Sequence, residues 1–148
     1  MSVQVLRSGA VGVALLMSLS ACETPTSSAT DTAASRAEFR AELPPELYDF
    51  AFSAAVAEQI AGECRAISFN RPEAQAQMKS LDAELKAKGY QESDIRYLAD
   101  AIPPKRAQDD LIKYIQQSGV VVGQPDTFCA AGQREIANGT RIGAFLKG

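Results

Sequence analysis

"TFCAAGQREIANGTRIGAFL", residues 127–146, carries the pattern on which the fold turns. Cys129, Gly132, Ile136, Gly139, Gly143 and Leu146 recur there at intervals of three and four. That spacing is one face of an α-helix, and the face is built mainly of small residues. Read as continuous, the helix starts at an Asp126 or Thr127 cap and runs to about Leu146. Each interior glycine costs about 1 kcal/mol against alanine, so three of them ask for a packing reason. The other reading ends the helix at Gly139 after Asn138 and leaves "TRIGAF" as a separate turn. The continuous helix is the expectation taken forward. Under it, Gly139→Leu destabilises the fold more than Gly139→Ala.

Residues 46–68 form a first helix that supplies the matching row. Phe50, Ala54, Ala57, Ala61 and Cys64 step by 4, 3, 4 and 3. Laid antiparallel with Cys64 against Cys129, the rows pair Ala61 with Gly132, Ala57 with Ile136, Ala54 with Gly139 and Phe50 with Gly143. Such a thin seam lets the helix axes approach to the usual 8–10 Å or less. Close axes help bring two cysteine Cα atoms within disulfide reach. Three further helices are predicted between the two. The second runs over 72–88, ends at a Gly89 turn and folds Tyr90 back on Leu85. The third, capped by Ser93, ends at Ala101; the fourth runs from Pro104 to Ser118 and stops at Gly119. "VVVG" at 120–123 is a short apolar loop. The fold class is all-α: a small bundle of about five helices, the first and last antiparallel and joined through Cys64–Cys129.

The N-terminus reads as an export signal. Arg7 precedes an uncharged apolar run of about a dozen residues, too short for a membrane span. Leu19-Ser20-Ala21-Cys22 resembles the lipobox of bacterial lipoproteins, in which the cysteine thiol takes up lipid and becomes residue one. On that reading 1–21 is a lipoprotein signal peptide, 22–43 a lipidated Cys22 with a flexible tether, and 44–148 the helical domain. The stretch "ETPTSSATDTAAS", residues 23–35, holds no aromatic or large aliphatic side chain and cannot offset its own chain entropy. Glu23 after the cysteine slightly favours the outer membrane by family habit. The implied location is the cell envelope, facing the periplasm. There the two remaining cysteines pair as a rule; a metal pair or two buried thiols are the alternatives.

Composition narrows the chemistry. The chain has 148 residues, no histidine, no tryptophan and a net charge of −3. Without histidine, Ser-His-Asp and Cys-His catalysis fall away, and a zinc site becomes poor. Mild acidity argues against nucleic acid. No metal and no cofactor is expected. The remaining catalytic candidate is Glu58 beside the alanine row: half-buried, it would serve as a general acid in a cell-wall glycan-cleaving enzyme. An edge glutamate paired with an arginine is its plainer role. Asp109-Asp110, near the start of the fourth helix, suits the helix dipole. The reading favoured is a non-enzymatic envelope lipoprotein that binds another envelope protein or is structural; a periplasmic stress chaperone is the third.

"KAKGYQESDIRYL" (86–98) and "FCAAGQREIANGTRIGAFL" (128–146), with Cys64 upstream, resemble a family of small exported bacterial proteins known only as a domain of unknown function. The likeness covers roughly residues 44–147. It implies a secreted helical domain and transfers no catalytic residue.

Overall fold

Prolines and glycines set most of the helix boundaries. The structure is a computed structural model and describes residues 36–148. Helix α1 spans Pro45–Glu63, with Pro45 at its first position, where no intrahelical N–H is needed. Helix α2 spans Arg71–Ala87, and its Glu73 N–H donates to the side chain of the Asn70 cap. Helix α3 spans Glu92–Asp100, α4 spans Pro104–Ser118 and α5 spans Pro125–Ala137. A short α6, Arg141–Ala144, follows. Two-residue strands β1 (Ser68–Phe69) and β2 (Leu146–Lys147) pair antiparallel, Ser68 opposite Lys147 and Phe69 opposite Leu146. The fold is all-α with this one small ladder.

The ladder corrects both ends of the expected seam. The first helix does not continue to Ser68. It stops at Glu63, and Cys64 is extended at φ −105°, ψ 109°. A turn follows, in which the buried Ile67 donates its N–H to the Cys64 carbonyl, and beyond β1 the Asn70 N–H donates to the Phe145 carbonyl at 2.7 Å. Nor does the last helix run to Leu146. Gly139 takes φ +59°. Its N–H donates to the Ile136 carbonyl, and the Thr140 N–H to the Glu135 carbonyl. This is a Schellman motif with glycine at its left-handed position. Thr140 then caps α6, accepting from the Gly143 N–H at 3.0 Å. The turn reading of "TRIGAF" is the one the structure adopts.

The second helix ends as the sequence predicts. Gly89 has φ +95°, and the Tyr90 N–H donates to the Leu85 carbonyl. The third helix is capped at Gln91 rather than Ser93, because the Gln91 N–H finds the Asp94 carboxylate at 3.0 Å. The fifth starts at Pro125, so neither Asp126 nor Thr127 is its cap; the Thr127 hydroxyl closes the preceding loop by donating to the Gln124 carbonyl.

Two apolar clusters share α1. The larger joins Val56, Ala57, Ile60 and Cys64 of α1 and its end to Phe128, Ala131 and Phe145. The smaller joins Leu47 to Leu81 and Leu85 of α2 and Ile95 and Leu98 of α3. At full burial each Val, Leu, Ile or Phe side chain among them is worth about 1.5–3 kcal/mol. Residues 36–41, within the stretch assigned to the tether, are helical. Arg36 and Arg40 each reach the fully buried Asp94 at 2.7 Å, and Phe39 packs edge-on against Tyr90.

Candidate functional site

The seam is real but narrower than the two rows imply. Cys64 and Cys129 are joined in a disulfide with Cα atoms 5.0 Å apart. Gly132 meets Ile60 and Ile67, not Ala61: an added Cβ would come within 2.7 Å of Ile60 and 2.6 Å of Ile67. Ala57 is fully buried, while Ala54 and Ala61 lie partly buried at the margin of the main cluster. Gly139 faces open space. Gly143 packs on the end of α5, not on Phe50; Phe50 instead meets Phe145 edge-on at 5.5 Å. Arg141 reaches Asp49 at 3.7 Å. With the disulfide at the other end, that contact makes α1 and α5 antiparallel. These residues form the skeleton. Cys22 lies outside the described residues.

Glu58 is exposed, not half-buried. Asp109 pairs with Lys105 at 2.8 Å, and Asp110 with Lys113 at 3.0 Å. Among the described residues, no three of the Cys, Asp and Glu side chains gather to hold a metal ion.

One opening among the described residues lies beside α1. A groove of about 490 Å³ runs between α1 and α4. Its floor is a stripe of α1: Tyr48, Ala51, Phe52, Ala55, Gln59 and Glu63. These recur at three- and four-residue spacing, so they share one face. Ala107, Leu111, Tyr114 and Ile115 of α4 form the facing wall, and Val122 and Phe128 close one side. The volume lies in the range of small-molecule sites, about 300–1,000 Å³.

Helix α4 is a loose wall. None of its residues is buried. Polar clasps hold it in place. The Tyr48 hydroxyl donates to Asp110 at 2.7 Å, and the Arg106 guanidinium lies 3.6 Å from the Tyr48 ring centre. At its far end, Arg134 donates to the Ser118 carbonyl. Burial and the Asp110 hydrogen bond push the Tyr48 phenol up to about 12. The Tyr48 hydroxyl and the Lys113 ammonium lower the Asp110 carboxyl. Burial, aided by the Glu135 carboxylate, raises the Tyr114 phenol. Leu111, Ile112, Val121 and Val122 stand exposed on α4 and the loop after it, Val122 at 78%.

The sequence signals only the α4 wall of this groove. Ala107, Leu111 and Ile115 are spaced four and four on a helix otherwise rich in charge. On α1 the stripe is masked, because the helix is apolar on several faces at once and carries little amphipathic contrast.

The model of a family described as "Family of unknown function (DUF5333)" matches residues 41–147. The chain belongs to this family. The match covers α1 to β2 and begins inside the 36–41 helix, so groove and disulfide both lie within it. No curated protein and no solved structure matches this family member.

Proposed function

We propose that this family member is an exported lipoprotein, anchored through Cys22, that works in the cell envelope by binding rather than catalysis. Its working surface is the groove between α1 and α4. The observation that carries the reading is the groove's make-up: two helices turn apolar stripes toward a shared hollow, and one of them buries none of its residues. An apolar pocket with few polar groups is the ordinary form of a binding site. The lipobox-like Leu19-Ser20-Ala21-Cys22, with the small-residue tether behind it, supports anchoring. Glu23 favours the outer membrane.

Two measurements test this. Mass spectrometry of material from the producing cell should find Cys22 as the acylated first residue; an intact Met1 overturns the anchor. Crosslinked pull-down from whole envelopes should return a reproducible protein partner that Ala55→Trp, on the groove floor, abolishes. A partner list unchanged by Ala55→Trp overturns the groove as the working surface.

A further inference from the structure

Residues 36–41 hold to the domain through few side chains. None of them is buried. Arg36 and Arg40, one helical turn apart, both donate to the Asp94 carboxylate at 2.7 Å. Longer contacts run from Arg36 to the Gly89 carbonyl at 3.3 Å and from Arg40 to the Ser93 hydroxyl at 3.4 Å. Between the arginines, Phe39 stands edge-on to Tyr90. The seat is one corner of the domain, where α2 ends and α3 begins.

This short strap can leave its seat without unfolding what lies beneath. Asp94 is sealed from water in company with the two guanidiniums. A carboxylate stripped of its partners is costly only while it stays buried. Departure of the arginines opens Asp94 to water, and the Gln91 N–H stays with it at 3.0 Å. The Arg36 Nε gains by leaving, because in the docked strap it is buried without a partner.

Off its seat the strap loses its helix. An isolated helix shorter than about 12–15 residues is marginal in water. Pro44 and Pro45 also prevent the strap from joining α1 as added turns. Leu43 packs against the smaller apolar cluster and Pro44 is buried, so the fixed end of the chain lies there. The segment thus has two states, docked and helical or released and extended. Release adds residues 36–42 to the connection from Cys22, which at 3.3–3.6 Å per residue is up to about 25 Å of reach.

We propose that residues 36–41 are a releasable clasp that sets how far the domain stands from the lipid on Cys22. This rests on the anchoring through Cys22 and names its regulation. The groove plays no part in it.

The first test is cleavage of the purified full chain by glutamyl endopeptidase under native conditions. A cut after Glu38 needs the strap extended, so its rate follows the released population. Asp94→Asn should speed that cut about tenfold or more. Phe39→Ala should speed it severalfold with an unchanged melting temperature. Reduction of Cys64–Cys129, which loosens the whole domain, should raise cuts within α1 and α2 and leave the Glu38 rate as it was. A Glu38 rate that climbs in step with the α1 cuts overturns the clasp, as does one equal in wild type and both variants. The second test puts the acylated chain in phosphatidylcholine vesicles, with a donor dye on Gln117→Cys, exposed on α4, and an acceptor lipid in the bilayer. Energy transfer should fall in Asp94→Asn and in Phe39→Ala; transfer equal to that of the parent overturns the control of reach. Where Cys22 carries no acyl chain, reach falls together with the anchor. Where Cys22 is acylated but the Glu38 cut follows global unfolding, the clasp falls and the anchor stands.

Discussion

Gly143 sits directly on the Glu135 carbonyl, so a methyl group at 143 would overlap the backbone at the end of α5. Backbone cannot step aside as a side chain can. Gly143→Ala is therefore expected to destabilise by about 3 kcal/mol, the upper end of overpacking costs. Gly132→Ala meets side chains rather than backbone, the Ile67 Cδ1 and Ile60 Cγ2 methyls, and should cost about 2 kcal/mol because Ile60 is buried and stiff at χ1. Gly139 has open space but φ +59°. There alanine and leucine should lower stability equally, by about 1 kcal/mol, and Gly139→Asn should be the mildest change at that position. Denaturant midpoints of the five variants check the order. A Gly139→Leu variant much weaker than Gly139→Ala would restore the continuous helix.

The Cys64–Cys129 bond closes a loop with a sequence separation of 65 residues. Loop-closure entropy then contributes about 4 kcal/mol. A domain of this size has a total of about 5–15 kcal/mol. Replacing both cysteines by serine should leave a fold that melts at least 10 °C lower, at about 4 °C per kcal/mol. Equal melting with and without reductant would contradict this.

Asp94 is fully buried, and its pH behaviour follows from its partners. Burial raises its pKa; the Gln91 N–H and the Arg40 and Arg36 guanidiniums outweigh burial and bring it below 3.8. A carboxylate whose pKa is lower when folded stabilises at pH above the unfolded value. That contribution is lost as pH falls from about 4 through the folded value. Asp94→Asn should cost roughly 2 kcal/mol at pH 7 and show a flatter stability profile below pH 4. Urea titrations of both proteins at pH 7 and pH 3 measure it. Protease sensitivity near residues 36–41 should rise in the variant.

Tyr48 behaves in the opposite sense. With its phenol at about 12 when folded and 10 when free, the unfolded chain releases the proton first. Stability should therefore fall as pH rises from 10 toward 12. Tyr48→Phe removes that slope and the bond to Asp110, at a cost of about 1 kcal/mol. Hydrogen exchange should quicken over α4 more than over α2 or α3. Uniform exchange changes would mean that the Tyr48–Asp110 clasp does not hold α4.

Much of the helix pattern was legible because its punctuation is chemical. Pro45, Pro104 and Gly119 start and stop helices where the sequence places those events. Gly89-Tyr90 forms the expected Schellman turn. The same motif at Gly139-Thr140 was overridden by a periodicity that runs through it. Gly143 falls on the extrapolated face by spacing alone, and in space it belongs to a turn packed back on α5. The β1–β2 ladder was hidden because two residues are too few to show an alternation. The groove was hidden for another reason: α1 touches neighbours on several sides, so its sequence does not say which face is left open.

The placement of the disulfide has a consequence for handling by proteases. Helices α2, α3 and α4 and the exposed Val122 loop all lie between the two bridged cysteines. A single cut anywhere in that interval yields two covalently tied pieces, not two fragments. The region with the weakest hold on the core can thus be clipped while both termini stay with one molecule.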